Sequence, residues 1–215
     1  MCGISGIVSK ESNHRLEEDI KVMNDILHHR GPDENAITNL GRAIFGHTRL
    51  SIIDINGGIQ PMQDQQACIT FNGEIYNHKE IRKKIDYPYK TRSDTEVILA
   101  LYKKYKLNMF DKIEGMFAFG LWDKFSEQLI LARDAFGEKP LFYCFGENSE
   151  LIFSSEIKAI LALDLITPVI SKKSLTTKIS DFRFNLLYKL SAINVKSTCL
   201  FNASKSKISA TFFCT

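Results

Sequence analysis

No glycine occurs after Gly146, and a single acidic residue, Asp181, lies after Asp164. Over that same stretch eight lysines and arginines accumulate, so the basic character of the chain belongs to its final segment. These cations are spaced among Ser, Phe, Ile and Leu without a cluster, and no nucleic-acid contact is expected of them. Cysteine pairs are also missing. Cys2, Cys68, Cys144, Cys199 and Cys214 are five in number and scattered, with no C-x-x-C, which gives neither a disulfide framework nor a zinc spacing. No run approaches the ~18 apolar residues of a membrane span. Nor is there a secretory start: Met1–Lys10 is followed at once by Glu11, Glu17, Glu18 and Asp19. A cytoplasmic protein without a membrane partner is expected. Its 215 residues, 44% hydrophobic and 25% charged, suit one ordinary domain and a remnant.

Periodicity marks the elements. Cys2–Val8 alternates small and β-branched residues and reads as a buried strand at the terminus. Leu16, Ile20, Met23 and Leu27 recur at helical spacing over Arg15–His28, and Arg30-Gly31-Pro32-Asp33 stops that helix with turn residues. Strands are expected over Ala43–Leu50 and Ala67–Phe71, and a helix over His78–Ile85. A second helix is expected over Ser93–Tyr105, where Ser93 and Glu96 form an S-x-x-E capping box. Met116–Asp123, Gln128–Arg133, Leu141–Phe145 and Leu151–Ser154 read as consecutive strands of one antiparallel meander. From Leu165 to about Lys178 the texture changes, and no clear period follows.

Chemistry begins at Cys2. Methionine aminopeptidase removes Met1 before a small side chain, leaving the Cys2 thiol beside its own α-amino group. That amine, with an ordinary pKa of about 7.7–8.0, can accept the thiol proton directly or through one water. The plain alternative is a small buried cysteine in a first strand. Asn72-Gly73 between two strand-like runs is by itself a tight hairpin turn. Arg49, ending an apolar strand, is by itself a surface arginine or half of a structural ion pair. Asp94 in a first helical turn complements the helix dipole. His28, His29 and His47 have no further ligands at metal spacing, so no metal is expected.

Taken together and in order, Cys2-Gly3-Ile4-Ser5-Gly6-Ile7-Val8, His29-Arg30-Gly31-Pro32-Asp33, Gly46-His47-Thr48-Arg49-Leu50-Ser51-Ile52-Ile53-Asp54 and Asn72-Gly73-Glu74-Ile75-Tyr76-Asn77 closely resemble the class II glutamine amidotransferases. Within them the resemblance is to the N-terminal glutaminase domain of glutamine-hydrolysing asparagine synthetases. It covers roughly residues 1–171 and continues in Gly115-Met116-Phe117-Ala118-Phe119, Ala132-Arg133-Asp134, Gly137-Glu138-Lys139-Pro140-Leu141 and Ser154-Ser155-Glu156-Ile157-Lys158-Ala159-Ile160.

The resemblance implies an α+β fold, a four-layer αββα sandwich of two antiparallel sheets of the N-terminal-nucleophile hydrolase kind. It implies Cys2 as nucleophile, with the Asn72 side chain and the Gly73 backbone N–H forming the oxyanion hole. It gives the α-carboxylate of glutamine to Arg49 and its α-ammonium to Glu74 and Asp94. Leu50, Ser51, Ile52 and Ile53 would shape the pocket wall through their backbone. The implied reaction is hydrolysis of glutamine to glutamate and ammonia, with no cofactor. ATP and Mg2+ would serve only a synthetase domain that captures the ammonia as asparagine, and no Ser-Gly-Gly-x-Asp phosphate loop for such a domain occurs here. A glutaminase domain over residues 2–170 is therefore expected, followed by a divergent or frame-shifted tail over 171–215, with an intact synthetase subunit or a homodimer as partner. The alternatives are another class II amidotransferase branch, supplying ammonia to a sugar phosphate or phosphoribosyl pyrophosphate, or a non-catalytic glutamine-binding remnant.

Overall fold

The computed structural model describes residues 1–10, 15–51, 57–168 and, as backbone, 210–214. Five strands form a first sheet in the order β2-β3-β1-β9-β8: β1 (Gly3–Val8), β2 (Glu34–Asn39), β3 (Ala43–Arg49), β8 (Phe142–Phe145) and β9 (Leu151–Ser154). A second sheet runs β10-β7-β6-β5-β4, from β4 (Met62–Gln63), β5 (Ala67–Ile75), β6 (Gly115–Asp123), β7 (Gln128–Arg133) and β10 (Ala210–Cys214). Every pairing is antiparallel except that of β10 with β7. The helices are α1 (Arg15–Leu27), α2 (His78–Lys84), α3 (Asp94–Tyr105) and α4 (Ile157–Leu161).

Side-chain alternation sorts these elements into layers. On the first sheet Ile4, Val8, Ala43, Phe45, Leu151 and Phe153 face the second sheet. There they meet Cys68, Ala118, Trp122, Leu129 and Leu131. The opposite faces are covered by helices. Ile7, Ile44 and Ile152 pack on Leu16, Ile20, Met23 and Leu27 of α1 and on Ile160 of α4. Ile69, Phe71, Phe119 and Ile130 pack on Val97, Ile98 and Leu101 of α3 and on Ile81 of α2. Three apolar layers thus separate four structural ones, the expected αββα sandwich. Each fully buried Leu, Ile or Phe contributes about 1.5–3 kcal/mol.

Among the described residues, two polar bonds join strand to strand across the layer between the sheets: Thr70 Oγ1 donates to Gly46 O at 3.0 Å, and His47 Nε2 lies 3.2 Å from Phe71 O. No helix among the described residues is long and apolar enough to cross a membrane.

Two expectations are corrected. The four C-terminal strands are not one meander, because β6 pairs with β7 in the second sheet whereas β8 pairs with β9 in the first. The chain changes layers between Arg133 and Phe142, and β9 joins β1. A hydrophobic alternation reports that a face is buried, not which sheet buries it. Asn72-Gly73 is not a hairpin turn either. It lies inside β5, paired with Ala118 and Phe117 of β6. The capping box also differs in detail: Ser93 accepts from Thr95 N as expected of an N-cap, but Glu96 reaches past it to Lys90 N and Thr91 N at 2.7 and 2.9 Å.

Candidate active site

The strand registers gather the site at one end of the layer between the sheets. Gly3 is opposite Thr48, which sets Cys2 beside Arg49 and Leu50. Cys2 continues the alternation of Ile4 and Val8, and Arg49 that of Phe45 and His47. On β5, Asn72 and Glu74 continue the alternation of Cys68 and Thr70, toward the same layer from the other side.

Cys2 Sγ donates to Leu50 O at 3.8 Å, the longest of the contacts that hold the site. Burial pushes the thiol up from its ordinary value, while the Leu50 backbone and the positive charges of the N-terminus, Arg49 and Arg30 work in the opposite direction. The thiol form therefore rests here, and a base is needed to generate the nucleophile.

Arg49 is 3% exposed and its Nη1 lies 3.0 Å from Glu34 Oε2 on the neighbouring strand. It is a buried cation in an ion pair, not a surface arginine. Leu50 and Ser51 follow directly, and Ser51 N donates to Asp33 Oδ2 at 2.7 Å while Asp33 N donates to Arg49 O at 3.0 Å. The Arg30–Asp33 turn is thereby riveted to the end of β3. Gly31 permits this approach, because a Cβ there would stand 2.3 Å from Thr48 O. Ile52 and Ile53 lie outside the described residues.

Asn72 is 2% exposed, yet its Nδ2 has no hydrogen-bond partner among the described residues. Gly73 beside it has no room for a side chain, since a Cβ would lie 2.2 Å from Met116 O and 2.7 Å from Phe117 Cα. Glu74 is half-buried two strand positions beyond Asn72 on the same face. Asp94, at the first turn of α3, accepts from Ile75 N at 2.9 Å. Burial raises its carboxyl, and the backbone bonds from Ile75, Thr95 and its own N–H, with His78 nearby, offset part of that rise. Asp94 therefore fastens α3 to the end of β5, a tie that its place in a first helical turn did not announce.

Several residues around the site were not assigned from the sequence. Arg30 Nε donates to Cys2 O at 3.0 Å, and its Nη1 lies 3.0 Å from Glu156 Oε1. Asp134 accepts from Phe117 N, Glu138 N and Lys139 N at 3.2, 2.9 and 3.1 Å, holding the loop after β7 against the part of β6 that faces Gly73. His47 is fully buried and burial lowers it to about 4, so it is neutral near pH 7. Only the motifs' clustering pointed to these residues, because their partners are remote in sequence.

A cleft of about 340 Å³ opens at this end of the layer, lined by Met1, His29, Arg30, Pro32 and Leu50. Among the described residues, His, Cys, Asp and Glu side chains form no cluster of three placed to hold a metal ion. The arrangement offers a thiol, an unspent amide donor, a buried guanidinium and two carboxylates. Such a set suits attack on a carbonyl compound that carries its own carboxylate and ammonium.

Comparison with known proteins gives the same direction. A family model described as a glutamine amidotransferase domain matches residues 1–203. The asparagine synthetase (glutamine-hydrolyzing) 1 of Bacillus subtilis (strain 168) is 43% identical over 169 residues, covering 75% of this chain and 27% of that protein. Asparagine synthetase B (glutamine-hydrolyzing) of Escherichia coli (strain K12) is 39% identical over 166 residues, with 75% and 30% covered. The chain thus spans less than a third of the length of either relative. Among solved structures, the glutamine phosphoribosylpyrophosphate amidotransferase from B. subtilis, complexed with ADP and GMP, superimposes with a TM-score of 0.59 at 22% identity, over 74% of this chain and 43% of that one. At that identity the likeness speaks for the fold.

Proposed function

Since the chain belongs to the glutamine amidotransferase domain family, we propose that it hydrolyses glutamine to glutamate and ammonia through a thioester on Cys2, freed as the N-terminal residue by removal of Met1. The α-amino group of Cys2 takes the thiol proton as sulfur attacks the side-chain amide carbon. The oxyanion so formed is met by Asn72 Nδ2 and the Gly73 N–H. Collapse breaks the C–N bond, and ammonia leaves with the proton returned by the α-ammonium. Water then attacks the thioester, giving up its proton to the same amine, and glutamate and the Cys2 thiol are restored. Arg49 holds the substrate α-carboxylate, Glu74 and Asp94 hold its α-ammonium, and Leu50 and Ser51 wall the pocket.

The observation that carries this reading is the buried Nδ2 of Asn72, which has no hydrogen-bond partner among the described residues. Buried donors are nearly always paired, and an unpaired one costs about 1–3 kcal/mol. A buried donor without a partner among the described residues, on the face of β5 turned toward the layer that Cys2 also faces, is suited to charge that exists only during reaction, where each such donor is typically worth about 2.7–4 kcal/mol.

The acceptor of the ammonia is, in this reading, an activated aspartate made with ATP and Mg2+ by a synthetase domain, supplied by an intact synthetase subunit or by a longer form of this chain. Support comes from the names of the curated relatives. The deciding experiment measures glutamate and ammonia release from glutamine by protein whose intact mass shows Met1 removed. Equal release of both, lost in Cys2→Ala, is expected. Turnover that survives in Cys2→Ala would overturn the assignment.

A further inference from the structure

A nucleophile at a chain terminus has a mechanical difficulty. Terminal residues fray unless tied down, whereas attack on an amide needs the reacting atoms within about 3–3.5 Å, and a misplacement of about 1 Å can cost ~100-fold in rate. At the end of β9, Ser154 and Ser155 lie against β1 and Glu156 lies against Arg30, an arrangement that answers this difficulty.

Ser155 clasps Ile4 twice: Ile4 N donates to Ser155 Oγ at 3.0 Å, and Ser155 N donates to Ile4 O at 2.9 Å. Ser154 Oγ accepts from Glu156 N at 3.2 Å and so orients the residue that follows. Glu156 then reaches Cys2 through Arg30. Its Oε1 lies 3.0 Å from Arg30 Nη1, and Arg30 Nε donates to Cys2 O at 3.0 Å. The same Oε1 is 2.9 Å from His29 Nε2, while Oε2 is 3.2 Å from Lys158 Nζ. Burial pushes the Glu156 carboxyl up, but hydrogen bonds from Arg30, Lys158 and His29 outweigh it and hold the group below its ordinary value, hence ionised.

The Arg30 side chain is 9% exposed, and its Nη2 has no partner among the described residues. A nearly buried cation of this kind needs its counter-ion, because removing one partner of a buried pair leaves an uncompensated charge. Lys158, with a half-exposed side chain, meets Oε2 and not the Oε1 that lies 3.0 Å from Arg30, so it stands outside the path to Cys2.

We propose that Glu156, acting through Arg30 and assisted by Ser155, is the positioning residue that fixes the Cys2 main chain for attack. It never touches the substrate. This rests on the reading of Cys2 as the nucleophile.

The test is Glu156→Gln in the full chain, read by glutamine kinetics and by hydrogen exchange of the Gly3 and Ile4 amides. Expected is a fall in kcat of about 10- to 100-fold with KM changed less than about two-fold, together with faster exchange at those two amides. Lys158→Ala should leave both readouts as they were. Should Glu156→Gln not fold, Ser155→Ala removes the hydroxyl that holds Ile4 N and should give the same pair of changes. An unaltered kcat, or unaltered exchange alongside a raised KM, overturns the proposal. Wild-type protein that turns over no glutamine counts against the nucleophile reading alone, since amide exchange is read without turnover and still decides whether Glu156 holds the strand.

Discussion

The guanidinium of Arg49 and the carboxylate of Glu34 lie 3.0 Å apart across the paired strands β3 and β2, with Arg49 only 3% exposed. The bond from Nη1 to Glu34 fixes the direction of the planar fork, a shape that suits a carboxylate. A lysine has no such fork. Arg49→Lys is expected to raise the KM for glutamine by about 10- to 100-fold with a smaller effect on kcat, as for a lost charge-assisted hydrogen bond. Steady-state kinetics decide it, and an unchanged KM would remove Arg49 from substrate binding.

Asn72 offers a cleaner separation of folding from function. Because Nδ2 makes no hydrogen bond among the described residues, Asn72→Ala breaks no observed bond of that amide nitrogen. The melting midpoint should move little, while kcat should fall by about 100- to 1,000-fold, the usual effect of losing one oxyanion donor. A large drop in stability with normal kcat would make Asn72 a structural residue.

Gly73→Ala makes the opposite separation. Its Cβ would stand 2.2 Å from Met116 O, a backbone atom that can retreat only if β5 and β6 part. Overpacking of this kind costs about 1–3 kcal/mol, so both denaturation midpoint and activity should decline. Retention of both would show that the strands separate freely there.

The pH dependence of activity follows from Cys2. Burial keeps the thiol protonated at neutral pH, so attack waits on the free α-amine, and kcat/KM should climb as pH rises through about 7.7–8.0. In preparations of mixed processing, activity should scale with the fraction lacking Met1, measured by intact mass. Full activity in Met1-retaining protein would exclude the amine as base.

A pH dependence of stability is expected from Asp123, which is 3% exposed. Burial raises its carboxyl, but the N–H groups of Ser126 and Phe125, the Tyr102 hydroxyl and Lys106 more than compensate and hold it at about 2. An unfolded Asp titrates near 3.9. The folded state therefore binds this proton more weakly, and its contribution of about 2 kcal/mol is present above pH ~4 and lost as pH falls through about 2. Asp123→Asn should lower stability at pH 7 and flatten the acid limb of the denaturation profile; an unchanged limb would reject the assignment.

How much of this was legible depended on how far each partner lies along the chain. The helices α1 and α3 were readable because Leu16, Ile20, Met23 and Leu27, or Val97 and Leu101, recur within a few residues. The edge strand β2 was not, since its residues are only half-buried or exposed and show no alternation. Cys2, Arg49 and Asn72 were given roles through shared motifs, whereas Glu156 lay in such a motif without a role, because the turn it acts on is 126 residues away in sequence. Asn72-Gly73 carried a turn signal that the pairing with β6 overrode, so the glycine answers a neighbouring strand and not a reversal of direction.

The two bonds that cross from sheet to sheet, Thr70 to Gly46 and His47 to Phe71, work as index pins. Two greasy surfaces resist separation but not sliding, since an apolar contact has much the same energy a little to either side. Polar contacts have an address. Pinned at residues 46–47 and 70–71, the sheets cannot creep past each other, and Arg49 and Asn72, one or two residues beyond the pins, stay in alignment. Burial lowers His47 to about 4, so across the neutral range this pin is a neutral Nε2–H bonded to Phe71 O and places no charge between the sheets.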